Sequence, residues 1–552
     1  MPAGSRPQLG VVGGGTMGIG IGEVAARAGF TVVIFDLTDE LVARGRARLE
    51  ASVRRSVERG RLEAAAADDA LARIAWTTTL ETLRDAAAVI EAVPEDLALK
   101  RDVFRRLDEI CGEAELLASN TSSLSISAIA AATRRPDRVV GMHFFNPVPA
   151  MALVEVVRGA RTADRSADAA VALAEALGKT PVRVAEAPGF LVNRVARPFS
   201  GEALRVLAER VAPAEVIDRL VREAGGYRMG PFELLDLIGL DVNLAVSRAI
   251  YEGFFHDPRY RPHPLQQQMV DAGLLGRKTA RGFYAYTERG EPAPRAPTAQ
   301  PPPRWEASPA EPRVLLSGTG RVADALADLL RGAGLPPDRG GDDVRDRVPA
   351  SPPHAVVAID ASLAPAEAKA NALARLEAAL PPEALVLTLT LSAPTTAAAR
   401  LVERPARVVG FAVLPPAGGR WLVEVQPGLR TDPAAVVRAQ AFWTLTGVEA
   451  VAVGEGPAGV YPRIQAMLCH EAVAAWAEGI ASAAAIDTAM RLGVNYPQGP
   501  IARAEAAGLE VVLAIVEALY HETRDPRYRP HPALRRLVAA GRERVEEARG
   551  ER

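Results

Sequence analysis

The string Gly141-Met142-His143-Phe144-Phe145-Asn146-Pro147 places a histidine at the end of a strand-like run, and the next such run carries Glu155. Asn146-Pro147-Val148-Pro149 turns the chain between them. Two neighbouring strands joined by that turn can bring imidazole and carboxylate together. A carboxylate on one ring nitrogen fixes the tautomer and raises the basicity of the other, which suits a general base working near neutral pH. A degraded copy follows at Gly410-Phe411-Ala412-Val413-Leu414-Pro415-Pro416, and both strings lead into Leu-Val-Glu-Val, with Glu155 in one copy and Glu424 in the other. Gly141 and Gly410, Glu155 and Glu424, and the Gly-Pro pairs at 230 and 499 share one offset of 269 residues. The chain is therefore duplicated, with a titratable base in one half only.

A second constellation is Gly13-Gly14-Gly15-Thr16-Met17-Gly18. It follows the apolar segment Leu9–Val12, opens a helix, and precedes another strand, Thr31–Phe35, that ends at Asp36. Gly13 suits a tight turn, Gly15 lets the backbone approach a pyrophosphate, and Gly18 allows close helix–strand packing. The helix start, including Thr16 and Met17, offers N–H groups and a positive dipole end to phosphates. Asp36 accepts hydrogen bonds from ribose hydroxyls and repels a 2′-phosphate, so NAD is favoured over NADP.

The elements needed to position these residues alternate strand and helix from residue 8 to about 158, with a charged helical hairpin at 39–75. This predicts a doubly wound parallel sheet. Helical periodicity dominates from Gly189 to about Ala272. The expected domains are 1–187 (nucleotide-binding), 188–287 (helical), a proline-rich linker at 288–312, 313–455 (a degenerate second sheet) and 456–552 (a second helical block). Asp257-Pro-Arg-Tyr-Arg-Pro-His-Pro264 recurs letter for letter at 525–532. In the second copy, Pro336 and Pro337 with Gly340 and Gly341 argue against the strand that should carry an acid. With 552 residues the chain exceeds one core. A net charge of −2 gives no field for nucleic acid or an acidic membrane. Cys111 and Cys469 form no disulfide framework and no metal-ligand spacing occurs, so no metal is expected and a reducing cytoplasm fits. No apolar run reaches membrane-span length. Four lysines stand against 61 arginines, which hints that each surviving lysine serves a compact-ammonium site.

Together, Gly13–Gly18, Val93-Pro94-Glu95-Asp96, Ser119-Asn120-Thr121-Ser122-Ser123-Leu124, Gly141–Pro149, Pro188–Arg194, Arg277-Lys278-Thr279 and Gly282-Phe283-Tyr284 resemble the L-3-hydroxyacyl-CoA dehydrogenase family across residues 8–286. The tandem layout is similar to longer bacterial members linked with phenylacetate and fatty-acid degradation. The resemblance implies a Rossmann-type sheet followed by an all-α domain, the pair duplicated with a degenerate second copy. It implies NAD as cofactor and an acyl-CoA substrate. His143 would take the proton of the 3-hydroxyl while hydride leaves C3, with Glu155 as its partner. Ser122 and Asn193 would hydrogen-bond the hydroxyl and acyl oxygens. Glu95, Lys100, Asn146 and Lys278, with Ser122, would contact NAD, and Ser52 and Arg59 would touch coenzyme A. Read without the resemblance, Ser122 caps the next helix equally well, Asn193 makes a turn, and the arginine-rich helix is a solvated face.

The second copy departs where chemistry would need it: Leu391 stands opposite Ser122, Ala412 opposite His143, Pro415 opposite Asn146 and Pro462 opposite Asn193. Residues 313–552 read as structural. In dimeric relatives the helical domains pair, so the expectation is either a homodimer or a monomer whose second helical block supplies that surface as an internal pseudo-dimer. The competing readings are an NAD dehydrogenase of a small non-CoA hydroxy acid and a non-catalytic NAD- or CoA-binding scaffold.

Overall fold

In a computed structural model of the full chain, residues 7–546 are described apart from 113, 288–290, 294–303, 306–311, 341–355 and 417. Most of the expected linker lies outside the described residues. The chain forms two compact units: residues 1–194 with 478–494, and residues 195–477 with 495–552. These units do not follow the contiguous segments expected from the sequence.

The first unit holds an eight-stranded sheet ordered β3-β2-β1-β4-β5-β6-β7-β8. The strands are β1 (Gln8–Val12), β2 (Thr31–Phe35), β3 (Ile74–Thr77), β4 (Ala88–Glu91), β5 (Leu116–Ser119), β6 (Val139–Phe144), β7 (Leu153–Arg158) and β8 (Thr180–Ala185). All pairs are parallel except β6 and β7. Val11, Ile34, Ile90 and Ala118 lie in the buried core, as near-continuous apolar runs in a two-sided sheet require. The charged hairpin expected at 39–75 is present as the helices Asp39–Glu58 and Ala64–Ala72.

Residues 478–494 complete this unit although they belong to the second copy. The helix Ala483–Gly493 packs on β7 and β8, and Ala185 donates its amide to the carbonyl of Ile480 at 2.8 Å. Gly493 makes the close fit possible, since a Cβ there would lie 2.8 Å from Leu153 Cδ2 and 3.2 Å from Val192 Cγ2.

The second unit contains a seven-stranded sheet ordered β10-β9-β11-β12-β13-β14-β15, made of β9 (Arg313–Ser317), β10 (Asp338–Arg339), β11 (Val356–Asp360), β12 (Leu385–Leu389), β13 (Val408–Ala412), β14 (Leu422–Pro427) and β15 (Glu449–Ala452). The expectation of no strand around 335–342 is corrected: Asp338 and Arg339 pair parallel with Leu315 and Leu316. Proline and glycine shorten this strand to two residues but do not abolish it, because its ladder runs along the sheet edge. A 17-residue helix, Tyr461–Ala477, is buried along nearly its whole length and packs against the helices Arg197–Ala208 and Leu509–Thr523. Here the exchange is reciprocal. The first copy's helix Ala214–Gly225 packs on β14, and Gly454 donates to the carbonyl of Val211 at 2.6 Å, the same contact as Ala185 to Ile480 one repeat on.

Among the described residues, no helix is long and apolar enough to cross a membrane. Cys111 and Cys469 are both buried and unbridged.

Candidate active site

The turn after β1 lies where the strand order reverses between β1 and β4, the crevice in which open α/β sheets bind ligands. Gly13 has φ +105°, and a Cβ there would stand 2.8 Å from the carbonyl oxygen of Ala92. At Gly18 a Cβ would stand 1.8 Å from the Gly13 carbonyl oxygen, so only glycine permits this helix–turn approach. Gly15 differs: nothing lies within 4 Å of its would-be Cβ, and no side chain caps the helix Thr16–Arg27 that starts there. Asp36, at the end of β2, accepts from the amides of Gly14 (2.9 Å) and Leu37 (2.8 Å). Open space over an uncapped helix start, with an anchored carboxylate beside it, fits a pyrophosphate and its ribose.

On the same sheet, antiparallel pairing sets His143 directly across from Glu155. His143 Nδ1 and Glu155 Oε2 are 2.6 Å apart, with His143 7% exposed and Glu155 fully buried. The other carboxylate oxygen accepts from the amides of Leu191 (3.1 Å) and Val192 (2.8 Å). One side chain thus orients the imidazole and ties down the segment that carries Asn193. Phe145 and Phe190 flank the imidazole at 4.5 and 5.9 Å between centroids. Phe190 is held at φ +50°, a sparsely populated conformation for a bulky residue. With Nδ1 committed to the carboxylate, Nε2 is the nitrogen available to take a proton.

The second copy shows the same strand pair without the histidine. Ala412 stands across from Glu424, which accepts from the amides of Val460 (2.6 Å) and Tyr461 (2.8 Å). Grip on the following helix survives, so that part of the glutamate's work is structural in both copies.

The family models for the 3-hydroxyacyl-CoA dehydrogenase NAD-binding domain match residues 8–187 and 348–456, and those for its C-terminal domain match 189–286 and 460–551. The chain belongs to the 3-hydroxyacyl-CoA dehydrogenase family. It is similar to the 3-hydroxyadipyl-CoA dehydrogenase of Escherichia coli (strain K12), with 35% identity over 540 residues, 97% of this chain and 98% of that protein. A crystal structure of a 3-hydroxybutyryl-CoA dehydrogenase from Escherichia coli K12 aligns with TM-score 0.77 and 34% identity over 97% of this chain and 99% of that one. The probable 3-hydroxybutyryl-CoA dehydrogenase of Bacillus subtilis (strain 168) is 45% identical over 282 residues, 51% of this chain and 98% of that protein. The protein is accordingly an NAD-dependent 3-hydroxyacyl-CoA dehydrogenase.

The remaining site residues of the dehydrogenase fall into distinct groups. Glu95 Oε1 accepts from the Thr121 hydroxyl (2.6 Å), the amides of Ser122 (2.9 Å) and Ser123 (3.1 Å), and the Ser123 hydroxyl (3.0 Å). Burial works to raise the Glu95 carboxyl, but the Thr121 hydroxyl, the Lys100 charge and the Ser122 amide outweigh it and hold it below the usual carboxylate range. Glu95 is thus the anchor of the serine loop. Ser122 does not cap the next helix; Ser125 does, accepting from the amide of Ala128.

Lys100, expected to contact the cofactor, is 1% exposed. Its ammonium donates to Glu91 Oε1 at 2.6 Å and to the Val93 carbonyl at 3.2 Å, and it reaches the loop only through Glu95 at 3.4 Å. The second copy keeps this arrangement as Lys369 on Asp360, at 2.8 Å. A compact ammonium serves the buried scaffold here, in the second copy as well as the first.

Asn146 is exposed just beyond β6. Lys278 lies in the other compact unit, paired with both oxygens of Asp241 at 2.5 and 2.6 Å. Ser52 donates to Glu23 at 2.9 Å, and Arg59 is exposed at the end of the same helix, one helical face along. Asn193 lies half-buried in the one-turn helix Val192–Val195.

Sequence reasoning missed Asn120. Its side-chain oxygen accepts from the amide of Phe144 at 2.9 Å, which pins the end of β6 next to His143. A polar residue directly after the apolar strand β5 was the available signal.

Proposed function

We propose that oxidation of an (S)-3-hydroxyacyl-CoA to its 3-oxoacyl-CoA takes place in the first copy alone, with His143 as general base. Nε2 of His143 takes the proton of the 3-hydroxyl, and Glu155 stabilises the imidazolium that forms. The turn Gly13–Gly18, with Thr16 and Met17 at the helix start, and Asp36 would hold NAD, which when bound would supply the acceptor for the hydride from C3. Ser122 and Asn193 orient the hydroxyl and acyl oxygens, so that the reacting groups meet in one pose. Ser52 and Arg59 are assigned to coenzyme A, and Glu95, Asn146 and Lys278 to the cofactor side. Lys100 supports Glu95 from beneath. The pathway assigned is fatty-acid or phenylacetate-type degradation, and the full-length relative named 3-hydroxyadipyl-CoA dehydrogenase favours a dicarboxylic acyl group among the substrates to test.

One observation carries this reading: the 2.6 Å His143–Glu155 pair has Ala412–Glu424 as its counterpart. The test is NADH oxidation with acetoacetyl-CoA and a dicarboxylic 3-oxoacyl-CoA. His143→Gln should lower turnover by about 10²–10⁴-fold while NADH binding is kept. A variant that retains near-parental turnover refutes the assignment.

A further inference from the structure

The one-turn helix Val192–Val195, which carries Asn193, is gripped at both ends. At its start, Glu155 Oε1 accepts the amides of Leu191 and Val192. Beyond Asn193, Arg194 is fully buried and its Nη1 lies 2.8 Å from Glu478 Oε2. Four residues form too short a helix to hold itself, and these two carboxylates are among the groups that fix its position. Glu478 comes from the second copy, as do Ile480, which accepts from Ala185, and Gly493, whose Cα faces Leu153 of β7 and Val192.

We propose that Glu478 is a positioning residue for the active site, and that the catalytically retired copy is retained because residues 478–494 hold Asn193 and the Glu155 strand in place. The inference rests on the first-copy reading given above. A chain holding only the first copy lacks this segment.

The molecule contains its own control. One repeat back from Glu478 is Glu209, and one repeat on from Arg194 is Arg463. Glu209 and Arg463 pair at 2.5 and 2.9 Å in the second unit. There Pro462 replaces Asn193 and the helix runs unbroken over 17 residues. The same ion pair is therefore present with no chemistry beside it. A purely structural role predicts no difference between the two glutamates in kcat per folded enzyme, whereas a positioning role does.

Glu478→Gln and Glu209→Gln in the full chain should both lower the melting temperature, since each takes a carboxylate from a buried guanidinium, the smaller drop falling to Glu209→Gln because Arg463 keeps Glu202 at 3.1 Å. Only Glu478→Gln should lower kcat per folded enzyme, by about tenfold, with NADH affinity unchanged, and Glu478→Asp should recover most of it. Gly493→Ala serves as a charge-neutral second variant. The equivalent position in the first copy is Ala224, so alanine is compatible with the fold, and the added Cβ should press on Leu153 and Val192. It should cost a few-fold in kcat. The proposal is overturned if Glu478→Gln and Glu209→Gln match in kcat, or if Gly493→Ala is kinetically silent. Should His143→Gln keep its turnover instead, the first-copy reading fails, and that failure is separate from this one.

Discussion

Replacing Glu424 by glutamine isolates what a buried carboxylate costs when no histidine faces it. The carboxylate is buried, with one backbone amide on each oxygen and alanine across the strand register. Burial dominates these contacts and pushes its pKa from the usual 4.5 to about 7. Below the lower value the group is protonated in folded and unfolded chains alike. Between the two values the unfolded chain ionises first, so stability falls as pH rises, and above about 7 the deficit is constant. At about 1.4 kcal/mol per pH unit this amounts to roughly 3 kcal/mol. Glutamine has no charge to desolvate but offers one oxygen to two amides, a loss of about 1 kcal/mol. Glu424→Gln should therefore stabilise the protein by roughly 2 kcal/mol at pH 8, with the gain gone by pH 5. Urea unfolding of parent and variant at both pH values measures this. Asp218, which burial also raises to about 7, cancels in the difference. Turnover should be unchanged. A gain that does not grow between pH 5 and pH 8, or a variant less stable at pH 8, would refute the reasoning.

Three further outcomes are expected. Asp36→Ala should weaken NAD and narrow its advantage over NADP, because the carboxylate that repels a 2′-phosphate is gone; an unchanged NAD/NADP ratio of kcat/KM contradicts this. Glu95→Gln should lower kcat/KM by about 10-fold through loosening of the Ser122 loop, and stopped-flow NADH oxidation at parental rates would count against the anchor. Lys369→Met should destabilise the second unit by about 3–5 kcal/mol, since Asp360 is left buried and unpaired. Turnover per folded molecule should persist, and a kinetic defect would show that the second sheet takes part in chemistry.

The His143–Glu155 pair was legible in the sequence because its geometry is local: a strand, a turn and a strand fix which residues face each other, and the period of two does the rest. The glycine turn was legible for the same reason, Gly13 and Gly18 each answering one steric demand of the fold. Lys100 was only half legible. Its rarity marked it, but whether an ammonium faces ligand or core depends on Glu91, and burial has no signature in a single residue. The short strand Asp338–Arg339 went unseen because prolines at 336 and 337 weigh against a strand without forbidding two residues of edge pairing. Least legible was the helix Ala483–Gly493 as part of the first unit. Its apolar face is as consistent with packing at home as with packing on β7 and β8, and no periodicity reports which sheet receives it.

That exchange has a consequence for biosynthesis. The first unit needs Glu478–Val494, so it stays incomplete while residues 195–477 are still being translated. At roughly 5–20 residues per second this delay is about 15–60 s. Throughout it, the side of β7 and β8 that receives the late helix lacks its cover. A nascent chain of this enzyme therefore spends most of its time on the ribosome with its first sheet short of one covering helix, and that cover forms only once residues 478–494 emerge.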